Sequence, residues 1–186
     1  MIANKRLQII GGIAAIFSAF LLAAAIIPVF QDNFLVLIIK LHTGVNGVQE
    51  GSLEGINFLD FSILVLVGTM FLTLYPILKS VYKIWATIAV ALPFIGLVLY
   101  LLTEDIGRSG ILAAGLIIAV MMLRSPSFSK GTAFLGILAN GCLLIGDIGI
   151  AYSYGKILAI FMAVGYVLVL IWYSLIGWKL FQLRNG

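Results

Sequence analysis

Apolar runs about the length of a bilayer recur along this chain, and no other feature constrains its fold as strongly. Six of them, roughly Leu7–Phe30, Phe58–Leu78, Ile84–Thr103, Gly110–Leu123, Thr132–Ala151 and Ile157–Leu180, are separated by polar segments. A helix needs about 17–25 apolar residues to cross the hydrocarbon core of a membrane. Backbone amides find no water there, so each run is expected to be a helix rather than an open strand. Only 10% of the 186 residues are charged and 63% are hydrophobic, with a mean hydropathy of +1.21. A soluble domain carries about 25% charged residues, so this chain lacks the charge to cover a water-facing surface. The expected fold class is all-α: a polytopic membrane protein with six transmembrane helices in one domain, residues 1–186, and one long outer loop at 31–57.

The first run requires a separate decision. Lys5-Arg6, an apolar stretch and Ala23-Ala24-Ala25 have the outline of a signal peptide with a small-residue cleavage site. The apolar stretch of about 24 residues, however, exceeds the usual signal core of about 7–15. A retained first helix is the expectation.

Charge then sets orientation. Lys5, Arg6, Lys79, Lys83, Arg124, Lys130, Lys179 and Arg184 fall on one side of the six runs, eight basic residues against Lys40, Arg108 and Lys156 on the other. The cytoplasmic side of membrane proteins is enriched in Lys and Arg. Both termini are therefore expected in the cytoplasm of a multi-pass cell-membrane protein. Asp32, Glu50, Glu54, Asp60, Glu104, Asp105 and Asp147 all fall on the outer side. Tyr75, Tyr82, Trp85 and Trp178 would mark the inner interface, and Tyr100, Tyr152 and Tyr154 the outer one.

The net charge of +4 comes from scattered basic residues, with no basic stripe interleaved with exposed aromatics, so nucleic acid is not an expected partner. The single Cys142 rules out an intrachain disulfide. One histidine, one cysteine and scattered carboxylates do not make a zinc ligand set. Asn46-Gly47 and Glu50 lack the spacing of an EF-hand loop, and a phosphate-binding GxxxxGK[ST] is missing. Neither a metal nor a cofactor is expected.

Polar residues inside the runs can be placed in depth from the helical rise. Asp60 lies about 28 Å from Lys79, Asp147 about 25 Å from Lys130, and Arg108 about 24 Å from Arg124. All three belong near the outer edge of the hydrocarbon, where an acid is costly unless paired or facing a wet cavity. Arg108 is expected to pair with Asp147, Asp60 or both, either as a structural ion pair or as the charged floor of an outward-facing ligand pocket. Asn140, about 15 Å from Lys130, belongs near the midplane. Pro93 at similar depth frees a carbonyl and favours a kink, and that carbonyl is a candidate partner for the Asn140 amide. Asn140 reads as interhelical glue, with a ligand contact as the alternative.

Gly11, Ala15, Ala19 and Ala23 repeat every four residues on the first run. Such a stripe lets another backbone approach closely, within the chain's own bundle or on a membrane partner. Gly136, Gly141, Gly146 and Gly149 mark the fifth run as tightly packed or locally flexible. The long loop contains HTGVNGVQEGSLEG, residues 42–55, with glycines at 44, 47, 51 and 55 that oppose a stable helix. The apolar Phe34–Leu41 before it would form a short interfacial or re-entrant helix. The loop reads as a solvated connector, or as a cap in which His42, Glu50 and Glu54 close over an outward pocket.

Gly107-Arg108-Ser109-Gly110 is a literal GxSG opening the fourth run, which resembles the rhomboid intramembrane proteases. That resemblance would make Ser109 the nucleophile, but it also requires a histidine on the sixth helix, and none is there. A serine needs a base to take its proton. Ser109 and its flanking glycines are instead expected to start the fourth span. Ile145-Gly146-Asp147 resembles the GxGD motif of intramembrane aspartyl proteases, but Leu144 replaces the first glycine, and Asp60, the only other candidate aspartate, has no preceding tyrosine. No catalytic residue is assigned.

The basic turns LYPILKSVYK and MLRSPSFSKGTAFLGIL and the ending IWYSLIGWKLFQL resemble small six-helix bacterial and archaeal membrane proteins of families without an assigned activity. The chain is also similar in size and helix number to the substrate-binding S-components of energy-coupling-factor transporters. That resemblance implies a cap at His42–Gly55 and docking of a coupling subunit on Ala15, Ala19 and Ala23. The leading expectation is a non-catalytic membrane protein that binds a small molecule, lipid or membrane partner at the outer polar cluster. A transporter component is the alternative, and a membrane-embedded enzyme the lesser one.

Overall fold

The computed structural model describes the backbone of residues 2–31, 58–100, 104–151 and 155–185, and the side chains of 5–24, 61–99, 109–147 and 160–183. Among the described residues the fold is all-helical, with six helices: α1 (Ile2–Gln31), α2 (Phe58–Leu78), α3 (Lys83–Tyr100), α4 (Glu104–Met122), α5 (Lys130–Ala151) and α6 (Gly155–Asn185). Three stretches, Lys5–Ala24, Phe61–Leu78 and Ile160–Leu183, are long and apolar enough to cross a membrane, and Lys83–Leu99 and Ser109–Met122 are shorter apolar helices.

The helix ends follow local chemistry. Ser129 precedes α5, and its Oγ accepts the Thr132 amide at 3.1 Å, satisfying an N–H that has no partner within the helix. The fourth helix corrects a sequence expectation. It begins at Glu104, so Ser109 sits more than a turn inside it rather than at its start. The physical reason is that Glu104 and Asp105 are favourable in a first turn, where the helix dipole is positive. Pro76 and Pro93 lie inside α2 and α3, both of which continue through them. Buried hydroxyls are satisfied by their own helices: Ser18 donates to the Ala14 carbonyl at 2.8 Å and Thr73 to that of Met70 at 2.7 Å. The exposed hydroxyls of Thr69 and Ser174 do the same with Val65 and Leu170.

Each helix packs on its neighbours in sequence, and α6 packs back on α1, so the six helices close into a ring. Glycine makes several of these seams close. A β-carbon on Gly11 would overlap Thr73 across α1–α2, one on Gly115 would overlap Asn140 across α4–α5, and one on Gly136 would overlap the Trp172 indole across α5–α6. The ring closes where a β-carbon on Gly177 would lie 3.1 Å from the Gly12 carbonyl and 3.3 Å from the Ala15 methyl.

Large side chains fill the middle. Phe71 on α2 and Trp172 on α6 belong to helices that are not ring neighbours, yet their rings meet edge to face at 6.5 Å and 62°. Met70, Leu74, Ile118, Met122 and Ile176 are fully buried with them. The Trp172 Nε1 is buried without a hydrogen-bond partner, so this indole is placed by shape rather than by its donor.

The exterior is the reverse of a soluble protein. Ile10, Ile13, Phe17 and Phe20 form an exposed ridge on α1, and Ile160, Val164, Val167, Ile171, Leu175 and Trp178 form another on α6. Water-soluble monomers rarely expose apolar patches beyond a few hundred Å², and continuous ridges of this kind are the surface that lipid covers. Apolar length and apolar exterior together associate the chain with a membrane.

Charge is sorted along the bundle. Arg124 Nη1 donates to the Tyr82 hydroxyl, which puts the α2–α3 and α4–α5 turns at the same end. Lys179 flanks the Gly12–Gly177 seam on that side, and Lys5 and Arg6 lie nearly two turns beyond Gly12.

Gly136→Ala should force the indole out of its notch and cost about 1–3 kcal/mol, the usual penalty of overpacking. Trp172→Phe makes room, so the double variant should lose less than the sum of the single losses. Denaturant unfolding in detergent measures the cycle. Additive losses would show that the indole does not occupy the Gly136 notch.

Candidate binding site at the acidic end

Asp147 lies near the C-terminal end of α5 and is only 9% exposed. Ser109 on α4 donates its hydroxyl to Asp147 Oδ2 at 2.5 Å. The register that brings them together is set farther along the same seam, where Asn140 presses on Gly115. From that contact Ser109 is six residues back along α4 and Asp147 seven residues forward along α5. In an antiparallel pair the two steps span about 9 and 10.5 Å, so the two side chains arrive at nearly the same height.

The deeper polar residue is used in packing. Asn140 is 1% exposed, its Oδ1 lies against Gly115, and its Nδ2 donates to the Gly136 carbonyl at 2.8 Å. The sequence reading offered the carbonyl freed by Pro93 as its partner. The structure gives that donor to Asn140's own helix instead, because a side-chain amide reaches the carbonyl one turn back without bridging the bundle. The contact with Gly115 does cross between helices.

Asp60 occupies the first turn of α2 and Arg108 immediately precedes Ser109, so their backbones belong to the same end as Asp147. Their side chains lie outside the described residues, as do His42, Glu50 and Glu54 in the loop. On α1, Gly11, Ala15 and Ala19 are buried, Ala15 and Ala19 at 0% and 5% exposure, and Ala23 is half-buried. Gly11 faces Thr73 of α2, and Ala15 faces Gly177 of α6. This chain's own helices therefore cover that part of the stripe. No group of three or more His, Cys, Asp or Glu side chains converges among the described residues.

The residue that sequence reasoning missed is Ser109 as a partner of Asp147. They are 38 residues apart, so no local pattern joins them. The available signal was depth: Ser109 stands about 22 Å from Arg124 and Asp147 about 25 Å from Lys130, level with one another.

As chemistry, the pair is an acid held by a hydroxyl rather than a nucleophile held by a base. A serine nucleophile needs a base to take its proton, and a carboxylate is a weak one. The only histidine, His42, lies outside the described residues. No family model, curated protein or solved structure matches the chain, so its functional reading rests on its own residues.

Ser109→Ala removes one donor from a largely buried carboxylate and should lower stability by about 1–3 kcal/mol. Asp147→Asn keeps an acceptor for the Ser109 hydroxyl and removes the charge, so it should be tolerated better. Thermal unfolding in one detergent ranks them, and equal losses would mean that the bond is not what holds Asp147.

Proposed function

We propose that the chain is an integral membrane protein whose six helices all cross the bilayer, with both termini in the cytoplasm. Support for the orientation comes from the tied turns: the Arg124–Tyr82 bond draws Lys79, Lys83, Arg124 and Lys130 to one end, as expected of a cytoplasmic face. The shorter apolar helices α3 and α4, with α5, close the ring between the long apolar α2 and α6, so all three would be carried through the bilayer with them.

In function the protein is a non-catalytic binder that contacts a small molecule, lipid or membrane partner at its outward, acidic end. The observation that carries this reading is the part-buried Ser109–Asp147 pair joining α4 to α5. An acid kept at the edge of hydrocarbon is expensive, and one that persists there is a functional-site hypothesis by default. Asp60 and Arg108, at the same end, would complete the polar surface. A role as the substrate-binding component of a transporter needs a docking face on α1. With Ala15 and Ala19 buried, Ala23 and the exposed Ile13, Phe17 and Phe20 ridge would have to supply it.

Native mass spectrometry on the chain gently extracted from its own membrane tests the binder. The expected result is a discrete adduct, distinct from bulk lipid, that Asp147→Asn abolishes while the protein stays folded. A bare monomer carrying only bulk lipid would overturn the proposal.

A further inference from the structure

At the basic end, opposite the Ser109–Asp147 pair, the start of α3 and the end of α4 enclose an open groove of about 420 Å³. Tyr82 and Trp85 form one wall and Ile117, Val120 and Met121 the other, with Arg124 at the polar end. Its interior is almost wholly apolar. Met121 is buried, whereas Tyr82, Trp85 and Val120 are 44%, 52% and 47% exposed, so the groove is unfilled by the chain's own side chains. The cation at its end lies against the aromatic wall: Arg124 donates to the Tyr82 hydroxyl and its guanidinium sits 5.2 Å from the centre of that ring.

Arg124 has five N–H donors, and the Tyr82 bond uses one. Along α4, which leads into it, the nearest acid is Asp105, about 28 Å away at the far end. Lys79 and Lys83 flank Tyr82 in sequence, Lys130 follows Arg124, and every acid of the chain falls on the other side of the apolar runs. An occupant must therefore be apolar along its length and negatively charged at one end. A membrane supplies that combination at high local concentration.

We infer that this groove is a binding site for one anionic phospholipid, with an acyl chain lying between Trp85 and Val120 and the phosphate on Arg124. Indole and phenol rings sit at headgroup height in membranes, and basic pockets between helices on the cytoplasmic side bind acidic headgroups. The planar guanidinium suits a phosphate, which it can grip with two parallel bonds. The inference rests on the proposal that these helices span a bilayer.

The purified full chain in detergent, titrated with phosphatidylglycerol and with phosphatidylcholine of the same acyl chains, tests it by native mass spectrometry. One phosphatidylglycerol should be retained with roughly tenfold preference, the scale of one charge-assisted contact. Arg124→Gln should abolish the preference. Val120→Trp should fill the groove and abolish retention without changing any charge, while Lys130→Gln, at the same end but outside the groove, should leave both intact. Equal retention of the two lipids, or equal effects of Arg124→Gln and Lys130→Gln, would overturn the site. A dimer that phosphatidylglycerol does not displace would also overturn it, by assigning the groove to a second copy. Release of the chain from vesicles by alkaline washing would instead overturn the spanning reading beneath it.

Discussion

Lipid offers helices no hydrophobic reason to meet, since an acyl chain is as apolar as a leucine, so they must be held by close packing. This constraint explains why glycine recurs at the helix seams. Gly11, Gly115, Gly136 and Gly177 each lie where a neighbouring helix presses into the space a side chain would occupy. Each close approach multiplies small dispersion contacts of about 0.1–0.2 kcal/mol per atom pair, which add up over a seam. The ring can then be filled at its centre by a few large groups, chief among them Trp172 and Phe71.

The polar features follow from the same seams. The fit of Asn140 against Gly115 fixes the sliding register of α4 on α5, and that register alone brings Ser109 to Asp147. The buried hydroxyls of Ser18 and Thr73 make no such link and bond one turn back along their own helices. The two ends of the bundle thereby differ in kind. One carries an acid held between helices, and the other an arginine laid over a tyrosine beside an apolar groove.

Much of the architecture was legible in sequence because its cause is one-dimensional. Apolar run length determines where a helix can form, and all six runs became helices. Depth counting from the basic turns was informative for the same reason, and it placed Asp147 far from Lys130. Its partner was not legible. Ser109 looked like the start of a helix because the preceding residues are polar, whereas the helix takes up Glu104 and Asp105 as a favourable first turn. The Asn140 amide bonds its own helix rather than the candidate carbonyl freed by Pro93, a choice that sequence does not distinguish because both carbonyls lie at similar depth. The groove at Arg124 required the α3–α4 pairing, which no local pattern encodes.

The central claim is that all six helices cross the membrane, although only three stretches meet the length and hydropathy of a span on their own. Parity separates the two cases, because six crossings return the chain to its starting side and three do not. With Cys142→Ala as background, Lys5→Cys and Gln182→Cys each provide a single exposed thiol at an end of the described bundle. Labelling in sealed, oriented vesicles with a membrane-impermeant maleimide should modify both from the same face. Modification from opposite faces would contradict the six-span ring.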